Sequence, residues 1–393
     1  MSTQKLTLAT VTQAVTTGDI AFRCRRRMQP AEGPGGKIFP STYEGGKYAV
    51  ETRIMDGVET NCVLIDSVQS QANRIEQALK QVYYKPGAKT AAFPIVAVDF
   101  ATAGLPEVGW ITSLDAPHRI ADAILRDSLC NGKKFRDSDE GKAFTNATAQ
   151  DATALFGLCP LALTLGIWDS TGPKGGLGTK IQRALVSEIV AFNATVGVKT
   201  SSRIDPLNIA LGAGPIYKAA DGGWTLEKGK DKVGKEGKPS EANHGNVMPS
   251  ISQTGGVTCD YALQTTVLSL AGLRRLHFPV SKGAYADVEA HTLLAALGIC
   301  GAVLAQSDAD LRSRCVLVPE GPAVWEKIAA DGSLTTYTLT NDDAKKLLED
   351  SIAPATKAGL PWHTEVLVLQ PSKPLVELVK RSRDIQSAQP TEG

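Results

Sequence analysis

Apolar and polar residues alternate from Asp19 to Met28. Ile20, Phe22, Cys24 and Met28 share one side of an extended strand, and Ala21, Arg23, Arg25 and Arg27 share the other. Arg26 interrupts the apolar side, which predicts a bulge or a strand end there. Asn61 to Asp66 reads as a buried strand. Beyond it Val68, Ala72, Ile75, Leu79 and Val82 keep helical spacing, with Asp66 or Ser67 as N-cap. Ile95–Phe100 and Val108–Thr112 read as strands, and Asp115 with Pro117 as the start of a helix. Lys133 to Lys142 reads as a mixed-charge loop. An apolar run ends at Trp168, and Ile181, Leu185, Ile189 and Phe192 then fit one face of a helix. Val257, Cys259, Tyr261 and Leu263 alternate as a strand, and Tyr285–Ala305 forms a long apolar helix. The last third continues with strands Cys315–Val318, Leu334–Leu339 and Glu365–Leu369. A helix capped at Asn341 lies among them, another starts from Pro371, and the end frays from Ser387.

These elements are divided by two Gly-rich basic segments and one insertion. Gly33–Tyr48 holds two Gly-Gly-Lys units, ending at Lys37 and Lys47, among Phe39, Tyr43 and Tyr48. Glycines let backbone N–H groups approach a phosphate, lysines neutralise it, and rings stack on unpaired bases. Thr171–Lys180 repeats that composition before the expected helix, with Lys174, Lys180 and then Arg183. Gly222–His244 is rich in Gly and Lys and nearly devoid of apolar residues after Leu226, which predicts an exposed insertion.

The composition, 42% hydrophobic and 21% charged over 393 residues, supports a packed core and excludes a wholly disordered chain. The length suggests two or three domains, or one with large insertions. Residues 1–15 are polar and Thr-rich and lack the pattern of a secretory leader, so a soluble, cytoplasmic protein without a membrane partner is expected. The seven cysteines are widely spaced with no Cys-x-x-Cys, the pattern of reduced, buried thiols.

The net charge of +1 conceals an uneven distribution. Residues 21–53 and 171–240 together carry 18 basic and nine acidic side chains, and the remainder carries 24 and 32. A basic surface on an acidic body suits a polyanion partner, though solvated loops have the same composition. The first turns of the helix after Ser67 carry Gln69, Ser70, Gln71, Asn73 and Arg74, hydrogen-bonding groups suited to a phosphodiester backbone.

No Gly-Lys pair is followed by Ser or Thr, so neither Gly-rich loop is a nucleotide P-loop. No His-Glu-x-x-His or Gly-x-Ser-x-Gly occurs, and the five histidines lack metal-ligand spacing. His291 falls on an apolar helix face as a core residue, and His118 is the one histidine placed as an acid or base. No catalytic residue, metal or cofactor is assigned.

Three segments carry a resemblance. Leu64-Ile-Asp-Ser-Val-Gln-Ser-Gln-Ala-Asn-Arg-Ile-Glu76, Ser41-Thr-Tyr-Glu-Gly-Gly-Lys-Tyr48 and Ser202-Arg-Ile-Asp-Pro-Leu207 resemble the Cas-seven-type backbone subunit of the type I-G (formerly I-U) CRISPR effector complex. That subunit belongs to the repeat-associated mysterious protein superfamily. Asp151-Ala-Thr-Ala-Leu-Phe-Gly157 resembles related backbone subunits. The resemblance spans about residues 22–276.

It implies an α+β fold: a ferredoxin-like, RNA-recognition-motif-like antiparallel sheet with helices on one side and large insertions. Residues 1–320 would form this core, with insertions at about 131–149 and 217–248. Residues 321–393 would be an α/β extension packed on it. One insertion, 217–248 or its rival 131–149, would be a hairpin thumb reaching the next copy. It further implies a non-catalytic protein that lines guide CRISPR RNA as a helical filament, beside other effector subunits and the target DNA strand paired to the guide. The RNA would be gripped by Arg23, Arg25, Arg27, Lys37, Tyr43, Lys47, Gln69, Ser70, Gln71, Asn73 and Arg74, and secondarily by Lys174, Lys180, Arg183, Ser202 and Arg203. Two rival expectations are an RNA endonuclease of the same superfamily and an enzyme acting on a phosphorylated small molecule.

Overall fold

Leu185 to Phe192 is an eight-residue strand, where the spacing predicted a helix. Both periods fit so short an apolar run. Pairing decides: on one side it lies against Tyr261–Ser269 and on the other against Val58–Asp66. A computed structural model describes residues 4–172, 178–220, 222–281, 283–307 and 310–388. Among them the chain forms a mixed α+β fold around a ten-stranded sheet and a five-stranded sheet. Lys174 and the terminal residues 389–393 lie outside the described residues.

The central strand of the large sheet is Ala21–Pro30. Tyr261–Ser269, Leu185–Phe192, Val58–Asp66 and Val50–Met55 follow on one side of it. Cys315–Pro319, Val324–Ile328 and Leu334–Thr338 lie on the other, with Asp310–Arg312 paired to the first of these and Gln4–Lys5 to the last. Phe22, Cys24 and Met28 are buried, as the alternation predicts. No bulge forms at Arg26, because Ala21 to Met28 pair in unbroken register with Ala262 to Ser269. Arg26 is accommodated by donating to the Gln306 carbonyl at 2.7 Å, just past a helix C-terminus.

Helices cover one face of this sheet. Asp287–Ala305 packs against Leu8–Thr17, Val68–Tyr83 and Asn341–Lys357, and it is buried from Ala290 onward. It is long and apolar enough to cross a membrane, but 83% of its most apolar window is buried in this fold. Gly301 lets it approach Val68–Tyr83: a Cβ there would lie 2.7 Å from Ile75. His291 Nε2 donates to the Leu276 carbonyl, 2.8 Å away, within the core. The seven cysteines are free, six of them buried and Cys259 partly so.

The C-terminal third is woven into both sheets instead of being appended at residue 320. Val324–Ile328 and Leu334–Thr338 belong to the large sheet, and Leu367–Pro371 sits between Val96–Asp99 and Ser128–Cys130 in the small one. The segment 131–149 is not a protruding insertion. Phe135 and Phe144 are fully buried, and Arg136 forms a bidentate pair with buried Asp169, both contacts at 2.6 Å. Ser138 caps a helix at Asp139–Asn146, where a loop was expected.

Asp115 does not cap a helix either. Its carboxylate accepts from Thr112 N–H at 2.9 Å and Lys80 Nζ at 2.6 Å. Burial opposes ionisation there, yet Lys80 and the Thr112 donors hold the carboxyl below its usual value. Asp122 caps the short helix Ala123–Arg126 in its stead. The helix Asn341–Lys357 is capped by Thr340, one residue before the expected Asn341.

A two-stranded ribbon leaves the large sheet. Lys199–Arg203 pairs with Val247–Ser252, and the expected insertion 217–248 lies between them and supplies the first two residues of the returning strand. At its neck Gly197 and Gly255 exchange backbone hydrogen bonds with their neighbours, and a Cβ on Gly255 would overlap Val198.

Candidate nucleic-acid interface

Arg23, Arg25 and Arg27 project from the sheet face opposite the helices, as expected, but carboxylates meet them. Arg23 Nε donates to Glu326 at 2.7 Å, and Arg25 lies 3.9 Å from the same carboxylate. Arg27 pairs with Glu320 at 3.0 Å and covers the Tyr261 ring, 3.7 Å from its centroid. Arg53 on the same face bridges Glu51 and Glu188. Four arginines thus face four glutamates, and the face is close to neutral. Beside them lies an apolar cluster of Cys62, Val190 and Phe192, with Phe192 stacked on Tyr261 at 5.2 Å.

The first Gly-rich loop clasps the ribbon neck. Lys37 Nζ donates to the Val198 carbonyl at 2.9 Å, and Tyr48 Oη accepts from Gly256 N–H at 3.0 Å. Tyr43 and Lys47 remain exposed at the turn Glu44–Gly46. On the ribbon Ser202 is exposed, and Arg203 lies 3.8 Å from Asp205. Asp205 folds the turn beyond: its carboxylate accepts from Ile209 N–H at 3.0 Å and Gly245 N–H at 3.1 Å. These backbone donors hold its carboxyl below the usual range.

The helix Val68–Tyr83 divides its amide-rich first turns between two tasks. Ser67 caps it, accepting from Ser70 N–H at 3.2 Å. Gln71 is buried: it donates to Asp66 at 2.5 Å and accepts from Ser187 at 2.9 Å and Gln264 at 2.8 Å. Arg74 donates to Asp66 at 3.0 Å and to the Leu311 carbonyl at 2.6 Å. Gln71 and Arg74 therefore tie the helix to the sheet. Gln69 and Asn73 point outward, and half-buried Ser70 lines a shallower cleft of about 490 Å³.

Gln69 and Asn73 open onto a cleft of about 700 Å³ that Lys180 and Arg183 also line. Residues more than 100 positions apart in the chain are thereby brought together. His118, Arg119, Arg126 and Trp168 add to its polar and aromatic wall, and among the described residues no Asp or Glu lines it. Arg126 pairs outward with Asp127 at 2.8 Å, and Arg119 pairs inward with buried Glu76 at 2.7 Å. Neither Lys180 nor Arg183 forms an ion pair with a carboxylate among the described residues, and buried Glu76 acts on Arg183 only at longer range. Burial and then the Arg119 charge pull the Arg183 guanidinium below its usual value. An anion in the cleft would relieve that crowding.

The sequence reading missed Trp168, Arg126 and Arg119. Trp168 was absorbed into the apolar run that it ends, although its place beside a Gly-rich basic loop was a signal. Nothing local marks Arg119, whose positive φ of 53° turns it toward Glu76. Among the described residues no three His, Cys, Asp or Glu side chains gather as a metal-holding group.

Two comparisons bear on this geometry. Residues 22–196 match a family described as CRISPR-associated protein GSU0053. No curated protein matches the chain.

Proposed function

We propose that this chain, whose residues 22–196 match a CRISPR-associated family, is a non-catalytic RNA-binding backbone subunit of a CRISPR interference complex. It grips guide RNA through its phosphodiester backbone and serves any guide sequence. The observation that carries this reading is the cleft, without a carboxylate among its described lining residues, where Gln69 and Asn73 face Lys180 and Arg183. Amides hydrogen-bond phosphate and sugar oxygens, and the two cations neutralise phosphates, without reading bases.

The order of the central strands supports an RNA-recognition-motif-like centre. Val324–Ile328, Ala21–Pro30, Tyr261–Ser269 and Leu185–Phe192 lie in the fourth–first–third–second order of a ferredoxin-like sheet, with the hairpin of residues 50–66 added at its edge. The ribbon fits a thumb. Ile204, Met248 and Ile251 are 85%, 79% and 72% exposed, an apolar surface that a neighbouring copy would cover along the RNA. A type I-G complex, its other subunits and the target strand paired to the guide are the corresponding partners, in the cytoplasm.

The test is binding of single-stranded RNA across a salt series. Several phosphate contacts predict a linear fall of log affinity with log salt, about 0.7 per phosphate for single strands. A flat profile overturns the reading.

A further inference from the structure

Trp168 and Lys180 are cross-strand partners in the two-residue ladder Ile167–Trp168 and Lys180–Ile181. Their neighbours Ile167 and Ile181 turn into the core, so the period of the strand forces both partners outward. Trp168 is left 59% exposed, and the Lys180 ammonium lies 5.3 Å from its ring centroid. Arg183 is held at the same wall: a Cβ on Gly166 would come within 2.7 Å of its Cγ. The cleft thus offers an exposed indole with an ammonium over one face, leaving the other to a ligand, and a guanidinium beside it, with no carboxylate in the lining among the described residues.

We infer that Trp168 is a base-stacking platform, and that the cleft takes one nucleotide unit, its base on the indole and its phosphate on Lys180 and Arg183. A cation cluster alone would accept any anion, and an exposed ring alone any apolar group. Together they select a ligand bearing a flat π-surface and a phosphate. A cleft of about 700 Å³ is of the size that encloses a small ligand. Stacking tolerates any base, which suits a protein that reads no sequence. This inference rests on the RNA-binding reading for the source of the nucleotide, a strand and not a free metabolite.

The experiment compares wild type, Trp168→Ala and Trp168→Phe against three probes: a short oligouridylate, an abasic ribose-phosphate strand of the same length, and uridine monophosphate. Because Trp168 is on the surface, circular dichroism should be the same for all three proteins. Trp168→Ala is expected to weaken oligouridylate about tenfold or more, to leave the abasic strand unchanged, and to be largely rescued by Trp168→Phe. Equal oligouridylate binding by wild type and Trp168→Ala overturns the platform while the RNA reading stands. Uridine monophosphate that quenches wild-type but not Trp168→Phe fluorescence, with no RNA binding, keeps the platform and overturns the strand as its source. Binding of none of the probes by wild type overturns both.

Discussion

Arg23 Nε and Glu326 Oε2 lie 2.7 Å apart across adjacent strands, so the most basic run of the sequence faces the solvent already paired. A partly exposed pair of this kind contributes roughly 0–1 kcal/mol to stability. Its larger effect is on the field, since each glutamate cancels the charge that a phosphate would seek. Substituting Arg23 or Arg25 by Ala should therefore change RNA affinity by less than about threefold. Arg183→Ala and Lys180→Ala should each lower it across all sequences and reduce the log–log salt slope by about 0.7. Filter binding over a salt series checks both halves, and a larger loss from the strand arginines would move the RNA path to the sheet face.

Much of this arrangement was legible in the sequence, for identifiable reasons. The helix after Ser67 was readable because its cap, its apolar stripe and its length all agree. The arginine strand was readable because only Arg26 breaks its alternation. Leu185–Phe192 was not, because a short run with Val186, Ile189 and Val190 supports either period until its neighbours are known. Tyr261 and Leu263 were assigned to a strand, but its core side is Ala262, Gln264, Thr266 and Leu268. Polar Gln264 and Thr266 hid that side, since their burial depends on Gln71 and Ser187 from distant segments. The cleft was half legible: its residues were picked out from two separate segments, but no local pattern could show that they meet.

Gln71 links three elements, which makes it a structural test. Truncation to Ala leaves Asp66, Ser187 and Gln264 without its amide in a buried setting. The expected loss is on the order of 3 kcal/mol in urea unfolding, from several unsatisfied groups at once. Gln69→Ala, two residues away and exposed, should leave stability within about 0.5 kcal/mol and affect RNA binding alone.

Glu76 and Arg119 make stability depend on pH beneath the cleft. Burial pushes the Glu76 carboxyl up to about 7, although Arg119 pulls the other way. Between its ordinary value of about 4.5 and about 7, the folded chain holds a proton that the unfolded chain has released. Stability from this group is therefore greatest below pH ~4.5, falls as pH rises to about 7, and is level above, a difference on the order of 3 kcal/mol. Glu76→Gln should remove that slope. Above about pH 7 it should be no less stable than wild type, because the amide stays neutral as the protonated acid does in the fold. Urea unfolding at pH 5, 6 and 8 separates the two effects, and an unchanged slope in the variant would assign it to other groups.

The ribbon offers the last test, because its exposed residues and its neck act separately. Met248 and Ile251 lie on the returning strand, and neither touches the core. Met248→Asp with Ile251→Asp should leave the unfolding midpoint unchanged. It should abolish RNA-dependent assembly of copies in sedimentation, while RNA affinity of the single chain persists. Gly255→Ala should act on the neck, since its Cβ overlaps Val198 and the Gly197–Gly255 hydrogen bond must open. Faster amide exchange along Lys199–Arg203 and Val247–Ser252, with the sheet unaffected, is the expected signature. Assembly that survives the double aspartate variant but fails with the neck variant would show that ribbon direction, and not its apolar side chains, joins the copies.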